Sequence, residues 1–404
     1  MGLVNEARIE DAARAGAGVV RETPIITTRT LSERIGTKVV LKAENLQGTG
    51  SFKLRGAMSK ITALGEATAS GVVCGSAGNH AQAVAYAARA RGVPCEVFMP
   101  EIAPIAKTEA VQALGATLHL GGLTVDDAVA AARERADEAG MEFIHPFDDP
   151  DVIAGQGGVG LELRRQVPDV TRVVVPVGGG GLISGTAVAI KSQRPHVEVV
   201  GIQVEACAPF LGSLEAGAPL AVESARTIAD GIAVKRPGDL TLALIETWVD
   251  RLLLVSEDEV AEAMVFLMER TKLVVEGAGA VGVAALLAGK LPPVDGTTVV
   301  VLSGGNVGAG LLAEVARRHE TQARRRLVLR VRLPDLPGSL AGLLSVVGRT
   351  GANLLDVQHI REGLDLHIQE TAVQLVLQTR GPEHAAAVRA AIEAAHYPEA
   401  REVL

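Results

Sequence analysis

Three times along this chain a short β-branched run ends in small residues that open a helix. "GVVCGSAG" leads into "NHAQAVAYAARARG", "TRVVVPVGGGG" into "LISGTAVAIKSQ", and "GTTVVVLSGGNVG" into "AGLLAEVARRHE". Continuous apolar runs, as opposed to alternating ones, belong to strands buried on both faces, and the intervening helices supply both covers. The chain is thereby restricted to an α/β architecture with parallel sheets, whose functional loops lie at the carboxyl ends of the strands. The same alternation extends through "KVVLKAE", "PCEVFMP", "TLHLGG" and "VEVVGIQVE" as strands. "IAKTEAVQALGA", "VDDAVAAARERADEAG" and Ser51–Leu64 read as helices, the last with Ser51 as N-cap.

Composition narrows the class. A 404-residue chain that is 48% hydrophobic and 21% charged can bury large cores and suits two or three domains. A net charge of -8 without a basic stripe argues against nucleic acid or an anionic membrane as partner. Cys74, Cys95 and Cys207 are too scattered for a metal spacing or a disulfide framework, which points to a reducing, cytoplasmic setting. The first sixteen residues read as an amphipathic helix without the apolar stretch of a signal peptide, and no run is long enough to span a membrane.

The alternation stops at "RRHETQARRR", Arg317–Arg326, which reads as a solvated linker. Residues 1–320 thus form one region, with a smaller α/β subdomain inserted at roughly 50–145, and residues 326–404 form another. In the latter, "LVLRVRLP", "PGSLAGLLSVVGRTGA", "NLLDVQHIRE", "LHIQETAVQLVLQT" and "GPEHAAAVRAAIEAAH" give the order βαββα. A short final strand at "AREVL" would complete a small ferredoxin-like domain.

Chemistry concentrates in four places. "VPVGGGGLISGT" sets four glycines between a strand and a helix, where backbone N–H groups and the helix dipole can cradle a phosphate. It has neither the lysine of a Walker loop nor the spacing of a dinucleotide fingerprint; a tightly packed turn is the alternative. "CGSAGNHAQAVA" offers Ser76, Asn79 and Gln82 beside a closely approachable backbone, though Asn79 alone could be a helix cap and His80 a packed neighbour. "VVVLSGGNVG" places Ser303 at the end of an apolar strand, just before Gly304. Finally, "GTGSFKLRGA" sets Lys53 among small and apolar residues, where lysine is out of place. Three glycine-bearing loops and a desolvated lysine converge on one phosphorylated ligand, and pyridoxal 5'-phosphate fits. Its aldehyde forms a Schiff base with a lysine whose pKa desolvation has lowered.

"SFKLRGA", "SAGNHAQ", "GGGGL" and "SGGN" resemble, in order, the motifs of fold-type II (tryptophan synthase β-like) pyridoxal-phosphate enzymes. The nearest likeness is to the threonine dehydratases (threonine ammonia-lyases) and the related serine dehydratases and serine racemases, over about residues 5–320. The tail resembles an ACT domain. The resemblance implies that Lys53 is the Schiff-base lysine and that Phe52 lies beside the cofactor ring. It implies that Asn79 bonds the ring's phenolic oxygen, that Gly178, Gly179, Gly180, Gly181 and Leu182 carry the phosphate, and that Ser303, followed by Gly304, faces the pyridine nitrogen. Ser76, Ala77, Gly78, Asn79 and His80 would hold the substrate carboxylate. Ser76 is the candidate for a second acid/base, by likeness to serine racemase. Glu276, in "EGAGA", matches a segment whose glutamate approaches the site; a capping role is the alternative. "HPFDDPDVIAGQGG", His145–Gly158, matches the substrate-side loop, and its Asp148 and Asp149 read as a solvated turn. Some relatives hold a divalent ion with a glutamate and a nearby aspartate; Glu205 has no such aspartate here, and no metal site is assigned.

The implied reaction is β-elimination from L-threonine, giving 2-oxobutanoate and ammonia, and from L-serine, giving pyruvate. Serine racemase or serine dehydratase chemistry on the same scaffold is the alternative. Cysteine-synthase-like replacement and a non-catalytic amino-acid sensor are weaker readings. The ACT-like tail implies an amino-acid effector such as isoleucine or valine, touching the Leu336–Leu340 loop, or a purely oligomerising role. A homodimer or homotetramer is expected.

Overall fold

The computed structural model describes residues 2–223, 226–361, 366–397 and 401–402. They form two compact units, 1–307 and 308–404.

Ten strands build the first unit: β1 (Ile25–Thr27), β2 (Lys38–Lys42), β3 (Val72–Gly75), β4 (Cys95–Met99), β5 (Thr117–Leu120), β6 (Glu142–Phe143), β7 (Val170–Pro176), β8 (Glu198–Val204), β9 (Arg251–Val255) and β10 (Thr297–Val301). The larger sheet has the order β1-β2-β10-β7-β8-β9 and is parallel except for the β1–β2 pair. The smaller, β5-β4-β3-β6, is parallel throughout. Residues 173–175 of β7 and 299–301 of β10 are fully buried valines. Each contributes roughly 1.5–3 kcal/mol through burial, so the strand ends that carry the loops are rigidly held. The smaller sheet lies within the 50–145 insertion read from the sequence.

Two helices meet at backbone contact. A Cβ on Gly56 would stand 2.8 Å from the Val152 carbonyl oxygen, and one on Gly155 would stand 2.4 Å from that of Arg55. The Lys53–Leu64 and Pro150–Gln166 helices can therefore cross this closely only because both positions lack a side chain.

The helix expected from Ser51 begins at Lys53, with Phe52 at the N-cap position and no capping side chain. Ser51 instead makes a β-bridge with Gly304, and its hydroxyl is buried without a partner. Sequence preference for serine at helix starts loses here to pairing with the loop after β10.

The second unit contains β11 (Arg326–Pro334), β12 (Asn353–Ile360), β13 (Glu370–Gln378) and β14 (Arg401–Glu402), in the antiparallel order β12-β13-β11-β14. Helices Ser339–Thr350 and Pro382–Ala394 complete the order strand, helix, two strands, helix, strand. The "AREVL" strand is present at 401–402; 400, 403 and 404 lie outside the described residues. The stretch read as a linker is largely helical: Ala309–Gln322 is one helix, grouped with this second unit, so the division falls earlier than charge suggested. High charge described that helix's surface, not a loss of structure. Among the described residues no helix is long and apolar enough to cross a membrane.

Candidate active site

Five strand ends of the first unit supply the site. β2 runs toward Lys53, β3 into Ser76–His80, β6 into His145–Asp149, β7 into the glycine loop, and β10 into Ser303–Asn306. Because β2, β10 and β7 are neighbours in one sheet, and β3 and β6 in the other, these loops fall into two adjoining groups.

Lys53 stands at the first position of its helix. Its Nζ donates to the Pro146 carbonyl oxygen at 2.7 Å and lies 5.3 Å from the Phe52 ring centroid. Burial lowers the amine to about 8, against the attraction of Glu276. A neutral, nucleophilic amine is thus accessible near neutrality.

Asn79, Glu276 and Asn306 form a chain of side-chain hydrogen bonds. Asn79 Nδ2 donates to Glu276 Oε1 at 2.7 Å, and Asn306 Nδ2 donates to Asn79 Oδ1 at 2.8 Å and to the Thr49 carbonyl oxygen at 2.8 Å. The amide of Asn79 is fixed, with its second Nδ2 hydrogen left to donate. Gly304 leaves room for this hydrogen-bond chain: a Cβ there would stand 2.2 Å from Glu276 Oε1 and would push that carboxylate away from Asn79. Glu276 is buried, and burial together with Asp230 pushes its carboxyl up to about 7. Ser303 is buried, and its carbonyl oxygen accepts from Phe52 N at 3.0 Å, so the Lys53 and Ser303 loops are stitched together.

The Ser76–Gly78 loop is half-buried; Ser76 Oγ accepts from Gly78 N at 3.2 Å. His80 is no free cation. Its Nε2 donates to the Ile144 carbonyl oxygen at 2.8 Å, and burial, with Lys53 nearby, lowers it to about 3. A neutral His80 can shape the loop but cannot offer charge to a carboxylate.

The glycine loop opens the Gly181–Lys191 helix. Gly180 has φ +89°. A Cβ on Gly179 would fall 2.2 Å from the Phe147 ring, and one on Gly181 3.0 Å from the Phe147 carbonyl oxygen. Leu182 is buried in the core beneath. The loop is therefore a side-chain-free cradle at a helix N-terminus, pressed against the His145–Asp149 turn that also receives Lys53. A phosphate at the cradle and an aldehyde at the amine are what these residues fit.

Sequence reasoning missed the support behind Lys53. Arg55, two residues on, is buried and forks onto two buried glutamates. Nε and Nη2 reach Glu44 at 2.8 Å each, while Nη1 and Nη2 reach Glu162 at 2.6 and 2.9 Å. Lys42, fully buried, pairs with Glu162 and donates to Gln166 Oε1 at 2.8 Å. Two cations and two anions balance, which is how four charges tolerate burial. The continuous apolar run of "KVVLKAEN", the mark of a strand buried on both faces, could have flagged Lys42 and Glu44 as buried, but nothing local names Glu162 as their partner.

The pyridoxal-phosphate dependent enzyme family matches residues 17–305. The chain is 45% identical over 377 residues to an L-threonine ammonia-lyase of Thermotoga maritima, covering 93% of this chain and 94% of that one. It is 47% identical to an L-threonine ammonia-lyase of Geobacter sulfurreducens, covering 90% and 91%. A solved T.th. threonine deaminase superimposes with TM-score 0.71 at 43% identity, over 75% of this chain and 99% of that one. Maize serine racemase superimposes with TM-score 0.73 at 33% identity, over 80% and 99%. By sequence, fold and the lysine-and-glycine-loop constellation, this chain belongs to the pyridoxal-phosphate dependent enzyme family.

Proposed function

We propose that this enzyme deaminates L-threonine to 2-oxobutanoate and ammonia, with L-serine as a second substrate. The observation that carries the reading is the Lys53 amine, lowered to about 8 beside a glycine-lined helix N-terminus. The named activities of its relatives in Thermotoga and Geobacter agree with it.

When bound, pyridoxal phosphate supplies an aldehyde for the lysine and an electron sink that acidifies the substrate Cα–H. Lys53 anchors it and, when free, takes the Cα proton as general base. Gly178–Gly181 and Leu182 would hold the phosphate with backbone N–H groups. Asn79, oriented by Glu276 and Asn306, would donate its remaining N–H to the cofactor's oxygen. Ser303 would offer a neutral hydroxyl, not an aspartate's charge, to the ring nitrogen, and would leave the group a milder electron sink suited to elimination. Backbone N–H groups of Ser76–His80 orient the substrate carboxylate.

Serine racemase chemistry is the second reading, favoured by Ser76 in the carboxylate loop and by the racemase fold match. Turnover of L-threonine, L-serine and D-serine separates the two: good serine turnover without 2-oxobutanoate from threonine rejects the first. Borohydride reduction should fix the cofactor to Lys53, and Lys53→Ala should lose both the yellow absorbance and turnover. A label on another lysine refutes the site.

The reading extends to the second unit as an ACT-type module that binds a branched amino acid such as isoleucine or valine at its Leu336–Leu340 loop. Its antiparallel sheet and strand order support this. A homo-oligomeric, cytoplasmic enzyme completes the proposal. Calorimetric titration with isoleucine and valine, and light scattering of the full chain, test these points.

A further inference from the structure

We propose that His145 is a positioning residue for Lys53: its Nδ1 pins the His145–Asp149 turn so that the Pro146 carbonyl receives the lysine amine whenever that amine is free. The inference rests on the reading of Lys53 given above.

Two of the turn's backbone donors are satisfied from within, and its two carboxylates take donors from the next helix and from Thr241. His145 Nδ1 accepts from Asp148 N at 2.8 Å and Phe147 N at 3.3 Å. Asp149 Oδ1 accepts from Asp151 N at 2.8 Å and Val152 N at 3.1 Å, capping the next helix. Asp148 Oδ1 takes Thr241 N at 3.0 Å. Pro146 has no N–H to place, and its carbonyl is the acceptor for Lys53 Nζ at 2.7 Å. The two remaining groups of the turn point the same way in function: Phe147 packs on Gly179, and Asp149 pairs with Lys60 at 2.7 Å on the helix that Lys53 begins. One five-residue turn therefore touches both the amine and the glycine cradle.

An imidazole can do this only as an acceptor at Nδ1. Protonating Nδ1 would set a donor against two backbone donors. The surroundings keep the ring neutral: burial, Arg133 and Lys53 lower it to about 4, with Asp149 opposing. The titratable groups interacting with Lys53 are then Glu276 and the two neutral histidines, His80 and His145. A carbonyl fixed at hydrogen-bond distance holds one N–H of the free amine and so directs its lone pair. It also keeps the amine in its dry niche.

The test compares His145→Asn with His145→Gln in the full chain. Asparagine places an acceptor oxygen where Nδ1 stood; glutamine places it one bond too far. Both variants lose the ring's packing, so that loss cancels. In the cofactor-loaded enzyme, H145Q should lower kcat for L-threonine by about tenfold with KM within about twofold, while H145N stays within about threefold of wild type. In the cofactor-stripped chain, the pH midpoint for acylation of Lys53, read by peptide mass spectrometry, should shift measurably in H145Q, because the amine loses its fixed acceptor and its dry niche, and stay put in H145N. Equal impairment of the two variants, or a wild-type H145Q, overturns the proposal. Lys53→Ala is run alongside: if it keeps the yellow absorbance, the reading of Lys53 has failed instead.

Discussion

Replacing Glu44 by glutamine tests whether the four buried charges behind Lys53 act as one balanced unit. The change keeps shape and one acceptor oxygen but leaves Lys42, Arg55 and Glu162 with a net positive charge in the core. Removing one partner from a buried pair costs roughly 3–5 kcal/mol. The retained amide oxygen places E44Q near the lower end, about 3 kcal/mol. With a urea slope near the upper end of the usual range, about 3 kcal/mol/M, the midpoint falls by roughly 1 M. Trp248, the single tryptophan, lies in the first unit, so its fluorescence follows that unit alone. pH supplies a sign. Burial would raise the Glu44 carboxyl, but Arg55, Lys42 and Thr23 outweigh it and hold it below the ordinary value. Its contribution is therefore complete above the unfolded pKa of about 4.3 and is lost as pH falls through the lower folded value. The gap between wild type and E44Q should narrow in that acidic window. Glu44→Leu combined with Arg55→Met removes one charge of each sign and should recover at least half of the loss, since apolar replacement of buried pairs is often near neutral. A loss in E44Q below about 1 kcal/mol, or a double variant no better than the single, refutes the argument.

Three further outcomes are expected. Gly179→Ala drives a methyl into the Phe147 ring; at the usual overpacking cost of about 1–3 kcal/mol, cofactor affinity measured by equilibrium dialysis should fall tenfold or more, with the fold intact by circular dichroism. The raised Glu276 carboxyl binds its proton more tightly folded than unfolded, so stability of the cofactor-free chain should decline as pH climbs from about 4.3 toward about 7. Glu276→Gln should flatten that slope, and an unchanged slope assigns it to another group. Gly56→Ala, forced against the Val152 carbonyl, should lower the melting temperature and disturb Lys53 placement, seen as a shifted absorbance band in the loaded enzyme.

What the sequence made legible was whatever is local. β-branched runs announced parallel strands, and the small-residue clusters after them announced the loops that the structure brings together around Lys53, Asn79, the glycines and Ser303. The His145–Asp149 segment was visible as a loop, but its hydrogen bonds are not written in composition. Arg55, Glu44 and Glu162 are far apart in the chain, and a charged residue looks solvated until its partners are found. The same bias turned the charged end of Ala309–Gln322 into a linker. Ser51 shows the converse: a good capping residue was claimed by a distant strand-like bridge to Gly304.

The pairing of β2 with β10 bears on how the protein is made. Lys38 lies opposite Thr297, so the centre of the larger sheet waits for a neighbour synthesised roughly 260 residues later, a delay of about 13–50 s at typical ribosomal speeds. Lys53 follows the early strand and Ser303 the late one. On the role proposed for Lys53, the nascent chain has no finished cofactor site until nearly the whole first unit has emerged, so loading should wait for the last central strand to slot into place.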